Sequence, residues 1–218
     1  MNLYPSILTA SIEEYQHQLD LVKESDLVKT VQVDIVDGYF TDNLTLSPID
    51  LLAADHGDLE IDLHLMVEEP LSFIFEILEF KEELPIRGVI AQIERMTSLA
   101  AFVAEVRVHN WQVGLSLDLY TPIEEISPEL WSEINLIQLM TIKAGFQGQK
   151  FNPNALEKIA EIKQLAEDDI EIIVDGGVKL DQSTLLSESG VGGVAVGSGI
   201  WQAEDPVLAL QQYSQLMK

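Results

Sequence analysis

Thr30-Val31-Gln32-Val33-Asp34-Ile35-Val36-Asp37-Gly38-Tyr39-Phe40 reads as a buried strand that ends in carboxylates. Val31, Val33, Ile35 and Val36 are β-formers, and Asp37-Gly38 is the turn that stops them. A carboxylate among β-branched residues is costly to bury unless it is ion-paired, metal-bound or used in chemistry. Asp34 is in that position, and the stretch alone leaves structural pairing and function both open. Asp37, beside a glycine, reads as a turn-former. Gln32 lies two residues before Asp34 and so shares its face of the strand.

Working outward, the same kind of segment recurs. An apolar run at 3–8 precedes Ser11-Ile12-Glu13-Glu14, a capping box ahead of a helical pattern in Tyr15, Leu19 and Val22. After the Asp34 strand come a loop over 38–48, a short helix near 49–54, a third strand at 60–66 and a helix from Pro70 to about residue 82. Further strands are expected at 88–93, 113–117, 136–142, 170–174 and 193–196. Helical segments follow them at 96–108, 122–134, 154–165, 180–189 and 206–216. About eight strand-then-helix units with short connections fit a (β/α)8 TIM barrel, one domain over 1–218, better than a doubly wound sheet. No dinucleotide glycine fingerprint follows the first strand, so no nucleotide cofactor is expected.

The totals agree with a single α/β domain. The 218 residues are 47% hydrophobic with a positive mean hydropathy, enough to bury a sizeable core. No run reaches membrane-spanning length and the first residues lack a basic, apolar leader, so a soluble, cytoplasmic protein without a membrane partner is expected. With no cysteine, disulfides, thiolate nucleophiles and Cys-based zinc sites are excluded, and any metal is held by oxygen and nitrogen. Twelve basic against 37 acidic residues, a formal charge of −25, disfavour nucleic acid and anionic surfaces. The acids are spread over helix faces, which reads as solvated surface. An anionic ligand must therefore be caught locally, and self-association into a homo-oligomer stays open.

In a barrel of this kind, chemistry belongs at the C-terminal ends of the strands and a phosphate site to the loops after strands seven and eight. Asp34, His64, Met66, Gln92, Asp118, Met140, Lys143 and Asp175 all fall at or just beyond expected strand ends. His17, His56 and His109 fall in or beside helices and are expected on the surface. His64 stands in an apolar strand, where a satisfied core histidine and a functional one are both open. Gly145-Phe146-Gln147-Gly148, Asp175-Gly176-Gly177 and Gly197-Ser198 put small residues at three consecutive strand exits. Backbone N–H groups there can approach an oxyanion closely, so together they read as a phosphate cradle.

These residues resemble the ribulose-phosphate 3-epimerase family over nearly the whole chain. The likeness rests on Pro5-Ser-Ile-Leu8, Val33-Asp-Ile-Val-Asp-Gly38 with Phe40 and Asn43, Asp62-Leu-His-Leu-Met66 with Glu69-Pro70, Gly145-Phe-Gln-Gly-Gln149, Val174-Asp-Gly-Gly-Val178 and Gly197-Ser198. It implies interconversion of ribulose 5-phosphate and xylulose 5-phosphate, within pentose phosphate carbohydrate metabolism, on a phosphate-binding barrel with a small sugar phosphate as partner. It implies Asp34 and Asp175 as the acid–base pair and as metal ligands with His64. Ser6 is implied to help hold the substrate, and Met66 and Met140 to form an apolar wall. Gly145, Gly148, Gly176, Gly177, Gly197 and Ser198 are implied to take the phosphate. Two carboxylates with pKa raised by an apolar barrel mouth suit such an inversion.

The chain departs from the family pattern at named positions. Gln32 stands where the family has a second metal histidine, Gln92 where it has another histidine, Val36 for a Met, and Lys143-Ala-Gly145 for Asn-Pro-Gly. Asp34, His64 and Asp175 alone are a poor set for zinc, while an amide oxygen at Gln32 suits Mn²⁺ or Mg²⁺. Tight stoichiometric metal is therefore not expected. Two alternatives follow: a catalytically degenerate phosphosugar-binding barrel, favoured by Gln32 and Gln92, and an aldolase- or synthase-like barrel working through Lys143.

Overall fold

The computed structural model describes residues 1–167 and 169–216; Asp168, Met217 and Lys218 fall outside the described residues. Eight parallel strands, β1 (Asn2–Ile7), β2 (Thr30–Val36), β3 (Glu60–Met66), β4 (Ile86–Gln92), β5 (Gln112–Leu117), β6 (Leu136–Met140), β7 (Glu171–Asp175) and β8 (Gly193–Val196), pair in sequence order. β8 closes on β1, so the sheet is a barrel with no edge.

β2 shows why the strands read as they do. All seven of its residues are buried, as expected of a parallel strand covered on both faces. Val31, Val33 and Ile35 join the main apolar cluster between barrel and helices. Gln32 and Asp34 alternate with them and enter the barrel, where their side chains bond to one another. Inside, Tyr4, Ile90, Leu136, Ile173 and Ala195 form one apolar layer, and Val36, Met66, Met140 and Ala144 form another nearer the C-terminal rim.

The outer helices are α1 (Ile12–Ser25), α2 (Pro70–Ile77), α3 (Leu99–Val108), α4 (Ala155–Leu165), α5 (Ser183–Ser189), α6 (Ser198–Trp201) and α7 (Pro206–Leu216). Ser11 caps α1 by accepting from the Glu14 N–H at 3.2 Å, but only half of the expected capping box forms, because the Glu14 carboxylate takes the Thr9 hydroxyl at 2.6 Å instead. Tyr15, Leu19 and Val22 of α1 are fully buried against the barrel. Truncating Leu19 to Ala would cost about 2–5 kcal/mol.

The short helical segments expected after β2 and β5 are present, with 3-10 rather than α geometry: 49–54 and 122–134 fold as 3-10 turns at Pro48–Ala53, Ile123–Glu125 and Pro128–Glu133. A proline stands in or beside each, at Pro48, Pro122 and Pro128. The helix after β3 stops at Ile77 rather than near 82, passing into turns. No helix among the described residues is long and apolar enough to cross a membrane.

Candidate active site

Asp34 and Asp175 come from β2 and β7, far apart in sequence, and meet at the C-terminal end of the barrel. Register places Asp34 beside His64 and Met140 beside Asp175. Asp34 Oδ2 accepts from Ser6 Oγ at 2.7 Å, and Trp201 Nε1 donates to the Ser6 backbone carbonyl at 2.7 Å. Asp34 Oδ1 accepts from Gln32 Nε2 at 2.9 Å and lies 3.0 Å from His64 Nδ1. Asp175 Oδ2 accepts from Gln32 Nε2 at 2.8 Å and from Gln138 Nε2 at 2.9 Å.

The positions of the protons follow from these partners. Gln92 Nε2 donates to Ser116 Oγ at 2.9 Å and stands 3.2 Å from His64 Nε2. With Gln92 Nε2 as donor, His64 Nε2 accepts and Nδ1 carries the hydrogen that Asp34 accepts; with Gln92 turned, its oxygen accepts from His64 Nε2 instead. Gln32 Nε2 and Gln138 Nε2, 3.4 and 3.2 Å from Nδ1, are then neighbours of that nitrogen and not its partners. The second Gln138 hydrogen has the Met140 sulfur at 3.9 Å. The amide oxygens of Gln92 and Gln138 are buried without partners among the described residues.

Burial, and then the Asp34 charge beside it, push the Asp175 carboxyl up to about 7, opposed by His64 and by the Gln32 hydrogen bond. Asp118, on the rim beyond β5, is pushed up to about 6 by burial and by neighbouring Glu94.

Asp34, His64 and Asp175 each offer an atom within 4.8 Å of the others, a buried group that could hold a metal ion. With the protons as they stand, the group does not fit one. Gln32 Nε2 bonds to an oxygen of both carboxylates, and the His64 hydrogen points at Asp34, so N–H groups face the atoms a cation would take. To admit a metal, Gln32 must turn its oxygen inward and His64 must move its hydrogen to Nε2.

Above the aspartates lies a cavity of about 450 Å³. Ser6, Asp34, Met66, Met140, Asp175 and the six residues expected to take phosphate, Gly145, Gly148, Gly176, Gly177, Gly197 and Ser198, all line it. His64 does not; it is fully buried in the polar layer that contacts Asp34. Gly177 shows why glycine is needed here. Its φ is +68°, and a Cβ would fall 2.7 Å from the Lys150 carbonyl carbon and 2.8 Å from the Gln149 carbonyl oxygen. The exit of β7 thus packs directly on the loop after β6. Asn43 Nδ2 donates to the Gly145 carbonyl at 2.7 Å, tying the loop after β2 to the same place.

Asp37 is the turn-former expected of it: Oδ1 accepts from the N–H groups of Tyr39 and Phe40 at 2.8 and 2.9 Å, and Oδ2 from Glu68 at 2.7 Å. Lys143 is exposed, with Nζ 5.6 Å from the Phe146 ring centre, and lines a neighbouring cavity rather than this one. His17 is exposed and His109 partly so, but His56 is not a surface residue. It is 7% exposed, and its Nε2 meets the buried Tyr15 hydroxyl at 3.0 Å. Three residues were not singled out from the sequence. Gln138 stands two before Met140, and Ser116 two before Asp118, so the period of the strand could have found both. Gln147 also borders the cavity, and its Nε2 is a buried donor without a partner.

The sequence profile described as "Ribulose-phosphate 3 epimerase family" matches residues 2–201. The chain belongs to that family of isomerases. It is 29% identical over 213 residues to a ribulose-phosphate 3-epimerase of Bacillus subtilis (strain 168), covering 95% of each chain. It is 30% identical over 217 residues to one from Helicobacter pylori (strain ATCC 700392 / 26695), covering 97% of this chain and 95% of the relative. Among solved structures, a 3-hexulose-6-phosphate synthase superposes with a TM-score of 0.72 over 100% of both chains at 16% identity. A phosphoribosyl anthranilate isomerase from Thermus thermophilus superposes with a TM-score of 0.66 at 14% identity, covering 100% of this chain and 98% of that one. These last two likenesses show the barrel fold.

Proposed function

We propose that this protein epimerises C3 of ribulose 5-phosphate to give xylulose 5-phosphate, with Asp34 and Asp175 as the acid–base pair. The observation that carries the proposal is that both carboxylates line one cavity, joined through a single amide nitrogen. A protein that only bound a sugar phosphate would need no second carboxylate there. One aspartate, ionised, removes the C3 proton and leaves an enediolate. The other, protonated, delivers its proton to C3 from the opposite face, and the pair is reset through solvent. Burial suits Asp175 to be the protonated member near neutral pH, because its carboxyl is pushed up to about 7.

The remaining residues take supporting roles in this proposal. Ser6 and His64 hold Asp34, and Met66 and Met140 form an apolar wall that strengthens the electrostatics around the enediolate. The glycine loops, Ser198 and the unpartnered Gln147 amide receive the phosphate, so that the span 1–218 is one phosphate-binding barrel domain. No step is routed through a metal, since the amides already occupy the carboxylates. Lys143, outside the cavity, forms no Schiff base.

Carbon NMR of purified protein with ribulose 5-phosphate tests the proposal. Xylulose 5-phosphate should accumulate to equilibrium. Protein that binds inorganic phosphate at the glycine loops but converts no ketose phosphate would instead be a binding module.

A further inference from the structure

The proton-transfer account uses two aspartates and leaves three glutamines unexplained. Gln32, Gln92 and Gln138 are each at most 1% exposed, inside a barrel whose adjacent layer is apolar. Two of them converge on the acids. Gln32 Nε2 places one hydrogen on each aspartate, at 2.9 and 2.8 Å, and Gln138 Nε2 adds a second donor to the same Asp175 oxygen at 2.9 Å.

We propose that Gln32 and Gln138 form a carboxamide clamp standing in place of a divalent cation between Asp34 and Asp175, so that the site binds no metal tightly and works without one. Its consequence for catalysis rests on the epimerase proposal, but the clamp itself does not. Three features argue for it. First, amide N–H groups are fixed dipoles with their positive ends toward the carboxylates, which orient both acids as a bridging cation would. Among the described residues, no hydrogen bond reaches Asp175 Oδ1, which leaves that oxygen for substrate. Second, Gln92 directs its two hydrogens at Ser116 and His64 Nε2, the arrangement in which the His64 hydrogen sits on Nδ1 and faces Asp34. A metal bound through Nδ1 would need His64 in its other tautomer, Gln92 turned to accept from it, and Gln32 turned as well. Third, Gln138 Nε2 donates to Asp175 at 2.9 Å with His64 Nδ1 at 3.2 Å and the Met140 sulfur at 3.9 Å, and turning it would set its oxygen against a carboxylate oxygen. Gln32 and Gln138 are thus positioning residues for the two acids.

The test is zinc and manganese titration of chelator-treated full-length protein by calorimetry, without substrate, so that inertness toward sugar phosphates cannot alter the result. Wild type should show no saturable site, and the side-chain amide NMR signals of Gln32 and Gln138 should not shift on adding zinc. Gln32→His, alone and with Gln138→Leu, should bind zinc at least about tenfold more tightly than wild type. One zinc bound tightly by wild type with displaced Gln32 signals would overturn the proposal. A folded Gln32→His protein that binds no better would overturn it too. If that variant does not fold, the wild-type titration and its amide signals decide alone.

Discussion

The two ends of the barrel bury the same kind of residue and treat it in opposite ways. At the N-terminal end Asp62, 1% exposed, is gripped by Arg87, whose Nε donates to Oδ1 at 2.9 Å while Nη2 contacts Oδ2. The Arg87 guanidinium lies 5.1 Å over the Tyr4 ring, and the Tyr4 hydroxyl, kept protonated by burial that pushes it up to about 12, donates to the Glu171 carboxylate. Burial raises the Asp62 carboxyl and Arg87 opposes the rise with a full charge. At the C-terminal end, among the described residues, Asp34 and Asp175 have a hydroxyl, an imidazole and amides for partners. At Asp62 a formal cation opposes the effect of burial, whereas at Asp175 the hydrogen bond from Gln32 is among the groups that do so. The difference separates the end that stabilises the barrel from the end proposed to do chemistry.

The largest effect that can break this comparison is on turnover. Asp34→Asn and Asp175→Asn should each lower kcat by about 10²–10⁴ while circular dichroism stays that of the wild type. The mirror-image effect belongs to the other end. Arg87→Met, which leaves Asp62 buried and unpaired, should cost about 3–5 kcal/mol in urea unfolding yet leave kcat of the folded enzyme near wild type. A large loss of kcat there would erase the division between the ends.

A smaller effect sharpens it through pH. Asp175 has a folded-state value near 7 against an ordinary value of 3.8, so the folded protein binds that proton more tightly than the unfolded chain. The stability it contributes is fully present below about pH 4 and is lost as pH rises through about 7. Asp175→Asn, which cannot ionise, should therefore match wild type near pH 4 and exceed it above pH 7 by on the order of a few kcal/mol. Unfolding curves across that range decide it, and a difference that shrinks as pH rises would contradict the assignment. Smallest of all, Lys143→Ala should change turnover by no more than about twofold, because its exposed charge lies outside the cavity.

What was legible in the sequence follows the range of the forces involved. Period-two alternation in β2 and glycine at strand exits are local signals, and they located Asp34, Asp175 and the loops that surround the cavity. His56 was misplaced because its partner, Tyr15, lies 41 residues away, and no local pattern announces that hydrogen bond. The short helices expected after β2 and β5 form as 3-10 turns, with a proline in or beside each. Gln138 was missed for a different reason: it sits in the apolar run Leu136–Met140, and its role exists only because β7 brings Asp175 within reach.

The central claim is proton transfer at one carbon by two carboxylates with no cation between them. Its most direct measurement is deuterium incorporation at C3 of ribulose 5-phosphate, followed by proton NMR in D₂O with chelator-treated protein. Deuterium should enter C3 of both ribulose 5-phosphate and xylulose 5-phosphate at an unchanged rate after chelation, and about 10²–10⁴ more slowly with Asp34→Asn. Exchange that stops on chelation and returns with added zinc would contradict it.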